Sequence, residues 1–247
     1  MRTNQDFLEV IRASFKEYLN AGNSRSTKKL KPLHGGIAED IREIFGSKYT
    51  VKSQDNAGGK EGTIKGNYYP KKVDITVCEN GNPVAGYAIK FVMRNYSQNS
   101  VNYFENMLGE TANIRSNGIP YFHVFIIFDQ VPHYGNNGTF KGYDVLTKHN
   151  LDKYIALSKD DPSKYISAPD KMLFVILRLK EKSSSHAFAD ETDYANYYLS
   201  VINDADLISY SDKFKGEFGN GVILNDYATF IDATHSIAMK KQTVGVP

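Results

Sequence analysis

The chain has 247 residues, 41% hydrophobic and 23% charged, with 30 Lys+Arg against 28 Asp+Glu and a formal net charge of +2. That apolar share is ordinary for a folded domain and excludes a disordered chain. No run approaches the roughly 18 apolar residues of a membrane span, and a single cysteine, Cys78, excludes an internal disulfide or a multi-cysteine zinc site.

The start, Met1 to Phe15, lacks the continuous apolar stretch of a signal peptide, so a cytoplasmic protein is expected. Phe7, Leu8, Ile11, Phe15, Tyr18 and Leu19 recur at helical spacing, and Asn20 to Asn23 stop that helix. A basic loop follows, Arg25 to Pro32. A second helix is predicted from about Gly35-Gly36 to Phe45, with Ile37, Ile41, Ile44 and Phe45 as its apolar positions. Residues 53–69 are rich in Gly, Asn, Lys and Asp and read as an exposed loop. Its Gly-Gly-Lys-Glu piece lacks the spacing of a phosphate-binding loop.

Lys72 to Cys78 alternates as a strand, Glu79-Asn80-Gly81-Asn82 is a hairpin turn, and Val84 to Met93 is the return strand. A polar loop, Asn95 to Ser100, leads to a helix from about Val101 to Ser116, ended by Asn117-Gly118-Ile119-Pro120. Tyr121 to Phe128 and Lys171 to Leu179 are nearly continuous apolar runs, the pattern of strands buried on both faces. This order predicts an α/β fold, a mixed central sheet flanked by helices. One domain over 1–247 is expected. Within that tail, Asp190 to Leu199 is predicted helical.

Chemistry concentrates between Tyr68 and Arg115. Asp74 lies mid-strand between Val73 and Ile75, although strands generally deplete Asp. Lys90 lies on the hairpin partner. A carboxylate and an ammonium converging on one point suit phosphodiester hydrolysis. The carboxylate holds a divalent metal, and the lysine orients water and offsets phosphate charge.

The run Lys72-Val-Asp74-Ile-Thr-Val, a turn, then Tyr87-Ala-Ile-Lys90-Phe-Val resembles the core of the PD-(D/E)xK nucleases, the superfamily of most type II restriction endonucleases. The upstream helix with Glu39, the helix after the hairpin and the two apolar strands follow in the family's order. The resemblance implies a restriction-endonuclease-like core over about residues 35–180, with residues 181–247 as a DNA-reading or dimerisation extension, a metal-dependent DNA endonuclease using Mg²⁺, double-stranded DNA as substrate, and a homodimer acting on palindromic sites. It implies Asp74 and Lys90 as catalytic residues, with Glu39 associated with the metal.

The sequence departs from the pattern at residue 88, where Ala88 replaces the (D/E) carboxylate. In some restriction enzymes this carboxylate has moved to the following helix. Glu105 is the first candidate as catalytic and metal-binding residue, and Glu110 is the other. At about 100° per residue the two are expected on different helix faces. Ala88 equally leaves open a nuclease-like module that binds DNA without cutting, and a repair or phage nuclease without site preference is a third reading.

The segment Met93 to Asn102 gathers Arg94, Asn95, Gln98, Asn99 and Asn102. Amides can pair with adenine and arginine with guanine, so this loop is expected to face DNA; turn and capping chemistry is the bland alternative. Lys71, Lys72 and Arg115 are expected phosphate contacts. The histidines show no metal-binding spacing. His34 reads as neutral loop filler that could touch a phosphate, His123 as a hydrogen-bonded core residue, and Cys78 as a buried thiol.

Overall fold

The computed structural model describes residues 1–21, 27–54, 58–182 and 188–244. Arg25 of the basic segment, Asn56 of the glycine-rich segment and His186 lie outside the described residues. The chain opens with α1 (Asn4–Ala21), a 3-10 turn (Thr27–Leu30) and α2 (Lys31–Phe45). Pro32 sits in the first turn of α2, where its missing N–H costs nothing. The helix therefore begins ahead of Gly35-Gly36, and His34 belongs to it rather than to a loop. Gly36 is needed for close helix packing, because a Cβ there would lie 2.8 Å from Cγ1 of Val10.

Then come β1 (Tyr49–Ser53), β2 (Gly62–Lys65), β3 (Pro70–Val73), β4 (Ile75–Glu79) and β5 (Asn82–Val92). The segment expected as loop thus contains β2, and the expected strand 72–78 is two strands. β3 pairs with β2 in a small separate hairpin, whereas β4 pairs with β1 and β5 in the main sheet. Asp74 is the residue between them. The β4–β5 turn carries positive φ at Asn80 (49°) and Gly81 (84°), as an Asn-Gly hairpin turn requires.

The remaining elements are α3 (Tyr96–Arg115), β6 (Tyr121–Phe128), β7 (Gln130–Tyr134), β8 (Phe140–Val145), α4 (Lys148–Leu157), β9 (Lys171–Leu179), α5 (Glu191–Ser200), β10 (Ile208–Tyr210), β11 (Val222–Leu224) and α6 (Tyr227–Val244). The main sheet is mixed, in the order β1-β4-β5-β6-β9-β10, with β11 also on β9. β5, β6 and β9 run parallel, and all of β6 is buried, which accounts for its unbroken apolar run.

Helices cover both faces of the sheet. On one, Phe7 of α1 stacks on Tyr227 of α6 at 3.8 Å, and Tyr87 of β5 donates to Thr234 Oγ1 of α6 at 2.9 Å. On the other, Tyr154 of α4 packs against Phe104 of α3, Phe125 of β6 and Phe174 of β9. The segment expected as an extension is part of this body: β10 and β11 extend the sheet, and α6 covers it. Among the described residues no helix is long and apolar enough to cross a membrane.

Candidate active site

The break between β3 and β4 builds the site. The β4–β5 ladder ends at Ile75↔Tyr87, short of Ile89. There the backbone turns away to form the β2–β3 hairpin, and Asp74 Oδ2 accepts the Ile89 N–H at 2.7 Å. The carboxylate takes over a bond that a longer strand would have made. It borders a cleft of about 470 Å³ between β5 and α3, whose walls include Lys71, Ala88, Lys90, Tyr103, Glu105, Glu110 and His123. Ala88 and Lys90 share one face of β5, as the period of two requires. They sit opposite His123 and Phe125 of β6.

The electrostatics of the cleft are strongly perturbed. Burial raises the Asp74 carboxyl from 3.8 to about 6, against the Ile89 N–H and the charges of Lys71 and Lys90, which favour the anion. Burial lowers the Lys90 pKa, with Asp74 and Glu110 opposing. The Lys90 ammonium lies 4.2 Å from the centre of the Tyr103 ring. Lys29, whose ammonium lies 5.5 Å from the centre of the Tyr18 ring, is pushed down to about 8 by burial and by the charges of Lys90 and Arg94. His123 is buried, hydrogen-bonded to Thr111 at 2.9 Å and pushed down to about 3 by burial, so it is a neutral core residue.

Glu105 and Glu110 both line this cleft. The expectation that they point apart fails because the cleft runs along α3: five residues advance about 7.5 Å, and long side chains reach it from both positions. They differ in pairing. Glu110 is ion-paired with Lys71, whereas Glu105 is exposed.

Glu39 does not join Asp74. It is mostly exposed and pairs with Arg2 Nη2 at 2.6 Å, beside the α1–α2 contact. His34, on the same helix, does join it. Single ligand atoms of His34, Glu61 and Asp74 all lie within 4.8 Å of one another. His34 is 3% exposed, and among the described residues neither ring nitrogen has a hydrogen-bond partner. Burial lowers its pKa to about 4, leaving a neutral imidazole with an available lone pair. Glu61 was lost to sequence reasoning inside a glycine-rich loop; only the acid beside Gly62 could have signalled it.

Several expected DNA contacts have structural partners instead. Arg115 is 7% exposed and donates to Asp170 at 2.8 Å and to the carbonyls of Pro162, Tyr165, Ile166 and Ala168. It cannot reach a phosphate. The amide loop is the first turn of α3. Asn95, left-handed at φ 49°, grips the backbone of Tyr134 through both ends of its amide. Gln98 accepts from Asn95, and Asn99 donates to the Asn95 carbonyl. Arg94 is ion-paired with Glu191 of α5. These side chains brace the helix against β7 and α5. Asn102 and Lys72 are exposed, and Lys71 lines the cleft. A further exposed group stands beside it: Tyr68, 81% exposed, sits at the β2–β3 tip next to the cleft residue Tyr69. Asn113 fixes this tip by bonding Tyr68 N and Tyr69 O.

No protein-family model, curated protein or solved structure matches this chain.

Proposed function

We propose that this protein is a metal-dependent endonuclease that hydrolyses phosphodiester bonds of double-stranded DNA at the Asp74–Lys90 cleft. The observation that carries this reading is the meeting of a half-buried carboxylate and a partly desolvated ammonium in one open cleft, at the end of a broken strand. The nuclease-like order of α2, the β4–β5 hairpin, α3 and β6 supports it.

The donors that fit a divalent cation are Asp74, His34 and Glu61, since they are mutually close and His34 has no hydrogen-bond partner among the described residues. When bound, such a cation polarises the phosphate and lowers the pKa of a coordinated water. The chain's own groups do the rest. Asp74, held by Ile89 N–H, keeps one oxygen fixed and the other available. Lys90 orients the attacking water and donates to a phosphate oxygen as charge builds there. Lys29 adds positive charge for the DNA backbone. Water oxygen bonds to phosphorus and the P–O3′ bond breaks, leaving a 5′-phosphate and a 3′-hydroxyl. In its most specific form the proposal is a type II restriction enzyme, a homodimer reading a palindrome.

A second reading, a DNA-binding module without catalysis, is favoured by one observation. Ala88 packs against the small apolar cluster of Ile64, Val73, Ile114 and Tyr121, so the strand itself lacks the carboxylate. Incubating the purified protein with mixed DNA, with a divalent metal and with chelator, separates the two. Metal-dependent fragments of discrete size support the restriction enzyme, and a smear supports a nuclease without site preference. Retained binding with no cutting supports the module.

A further inference from the structure

One carboxylate close to Asp74, Glu61, comes neither from β5 nor from α3. The β2–β3 hairpin folds back over the sheet and covers Ala88 with Ile64 and Val73. It lies close because Gly62 has no side chain: a Cβ there would sit 2.6 Å from both Cβ and Oγ1 of Thr76 on β4. A second bare position, Gly86, accommodates Ile64, whose Cδ1 lies 2.8 Å from where a Cβ would be. This close approach brings Glu61, immediately before Gly62, to Asp74 and His34. A carboxylate at position 88 would press its charge into the cluster that anchors the hairpin, at a desolvation cost.

We propose that His34, Glu61 and Asp74 form a site for a first-row transition-metal dication of the Mn²⁺ type, selective against Mg²⁺, with Glu61 replacing the carboxylate missing at Ala88. This deepens the nuclease reading and rests on its assignment of Asp74 as the metal-bearing carboxylate. Two ligands of one such ion lie at most about 4.2–4.4 Å apart, twice the metal–ligand distance. The three donors, within 4.8 Å of each other, need close by only a few tenths of an ångström.

His34 is the independent observation. It is buried, and among the described residues neither ring nitrogen has a hydrogen-bond partner, a loss of stability for an unsatisfied polar group. A metal bound to one nitrogen would end that loss. An imidazole nitrogen with two carboxylates suits Mn²⁺ and its neighbours. Mg²⁺ favours oxygen donors and retains its waters. Three protein donors leave coordination positions for water and phosphate, as in catalytic metal sites. Because Glu61 rides on the hairpin and His34 on α2, the ion would also fasten the hairpin to the helical layer.

The test is Mn²⁺ binding by the full chain without DNA, read as the fall in the free Mn²⁺ electron paramagnetic resonance signal. Wild type is expected to bind one Mn²⁺ with micromolar affinity, and a hundredfold excess of Mg²⁺ should leave most of it bound. His34→Ala and Glu61→Gln should each weaken binding at least tenfold, with the far-ultraviolet dichroism of wild type. If His34→Ala fails to fold, Glu61→Gln decides, since residue 61 is only half-buried. Wild-type affinity in Glu61→Gln, or no Mn²⁺ bound at millimolar concentration, overturns the site. Displacement by equimolar Mg²⁺ overturns the selectivity. Mn²⁺ binding through these residues without DNA cleavage keeps the site and removes the nuclease. Cleavage in Mg²⁺ that is indifferent to Glu61→Gln does the reverse.

Discussion

Two charged clusters, one buried and one half-buried, lie at different places on the sheet, and they are finished to different degrees. Around Arg115 every guanidinium nitrogen has a partner. Asp170, which it grips, also accepts Tyr121 N–H at 2.9 Å and meets Lys241 at 2.8 Å. Around Asp74 the carboxylate holds one backbone N–H, its neighbour His34 holds nothing, and Lys90 rests on an aromatic face. A buried group with all its bonds made locks a loop in place. One with bonds left over keeps capacity for a ligand, at a cost in stability. In sequence both Asp74 and Arg115 read as members of one substrate-facing set, and the count of satisfied donors and acceptors separates them.

The largest effect expected on stability is at the completed cluster. Arg115→Ala strands the Asp170 carboxylate and frees the carbonyls of residues 162–168, so a loss of about 3–5 kcal/mol is expected in denaturant unfolding. A loss below 1 kcal/mol would erase the contrast between the clusters.

Next comes acid sensitivity. His123 has its pKa lowered from 6.5 to about 3. The unfolded chain therefore binds the extra proton across that window, and stability falls with pH below 6.5. The contribution is about 2 kcal/mol between pH 6.5 and 4.5. His123→Gln should flatten the stability-versus-pH curve by that amount; an unchanged slope would mean that His123 is not held neutral.

The unfinished cluster should respond with the opposite sign. The Asp74 pKa is raised from 3.8 to about 6, so the folded protein binds the extra proton between those values. Its favourable contribution is present at low pH and is lost as pH rises through about 6. At pH 8 in chelator, Asp74→Asn should therefore raise stability by about 1–3 kcal/mol, because the amide oxygen can still accept from Ile89. Destabilisation at pH 8 would contradict the placement. The smallest effect is expected at Glu39, whose pair with Arg2 is largely exposed. Glu39→Gln should change stability by less than about 1 kcal/mol and leave Mn²⁺ binding unaltered.

The sheet was legible where a residue's local pattern and its environment agree. The apolar runs of β6 and β9, the Asn-Gly turn and the alternation of β5 all follow from burial and backbone sterics. Sequence patterning failed where tertiary contacts decide. Asp74 sits in a strand-like run, yet the chain leaves the sheet there to form the hairpin with β2. The strand β2 is short and lies in a glycine-rich stretch that resembles a loop, yet Gly62 serves close packing on Thr76 and Gly66 on Asn113. On α2, position 39 carries the acid but position 34 faces Asp74. The two are about 140° apart around the helix, and which side faces inward is set by packing against the sheet. The amides of residues 95–99 have the composition of a base-reading loop and the contacts of a helix brace.

The central claim is that Asp74 and Lys90 act together in cleavage rather than in DNA attachment. The most direct measurement compares wild type, Asp74→Asn and Lys90→Ala on one DNA duplex population, recording binding and metal-dependent cleavage in parallel. Wild type should cut, and each variant should lose cleavage by at least about a hundredfold, the scale of losing a general acid–base or charge-stabilising group, while binding DNA within a few-fold of wild type. Cleavage by either variant at the wild-type rate, or no cleavage by wild type with any divalent metal, would contradict the account.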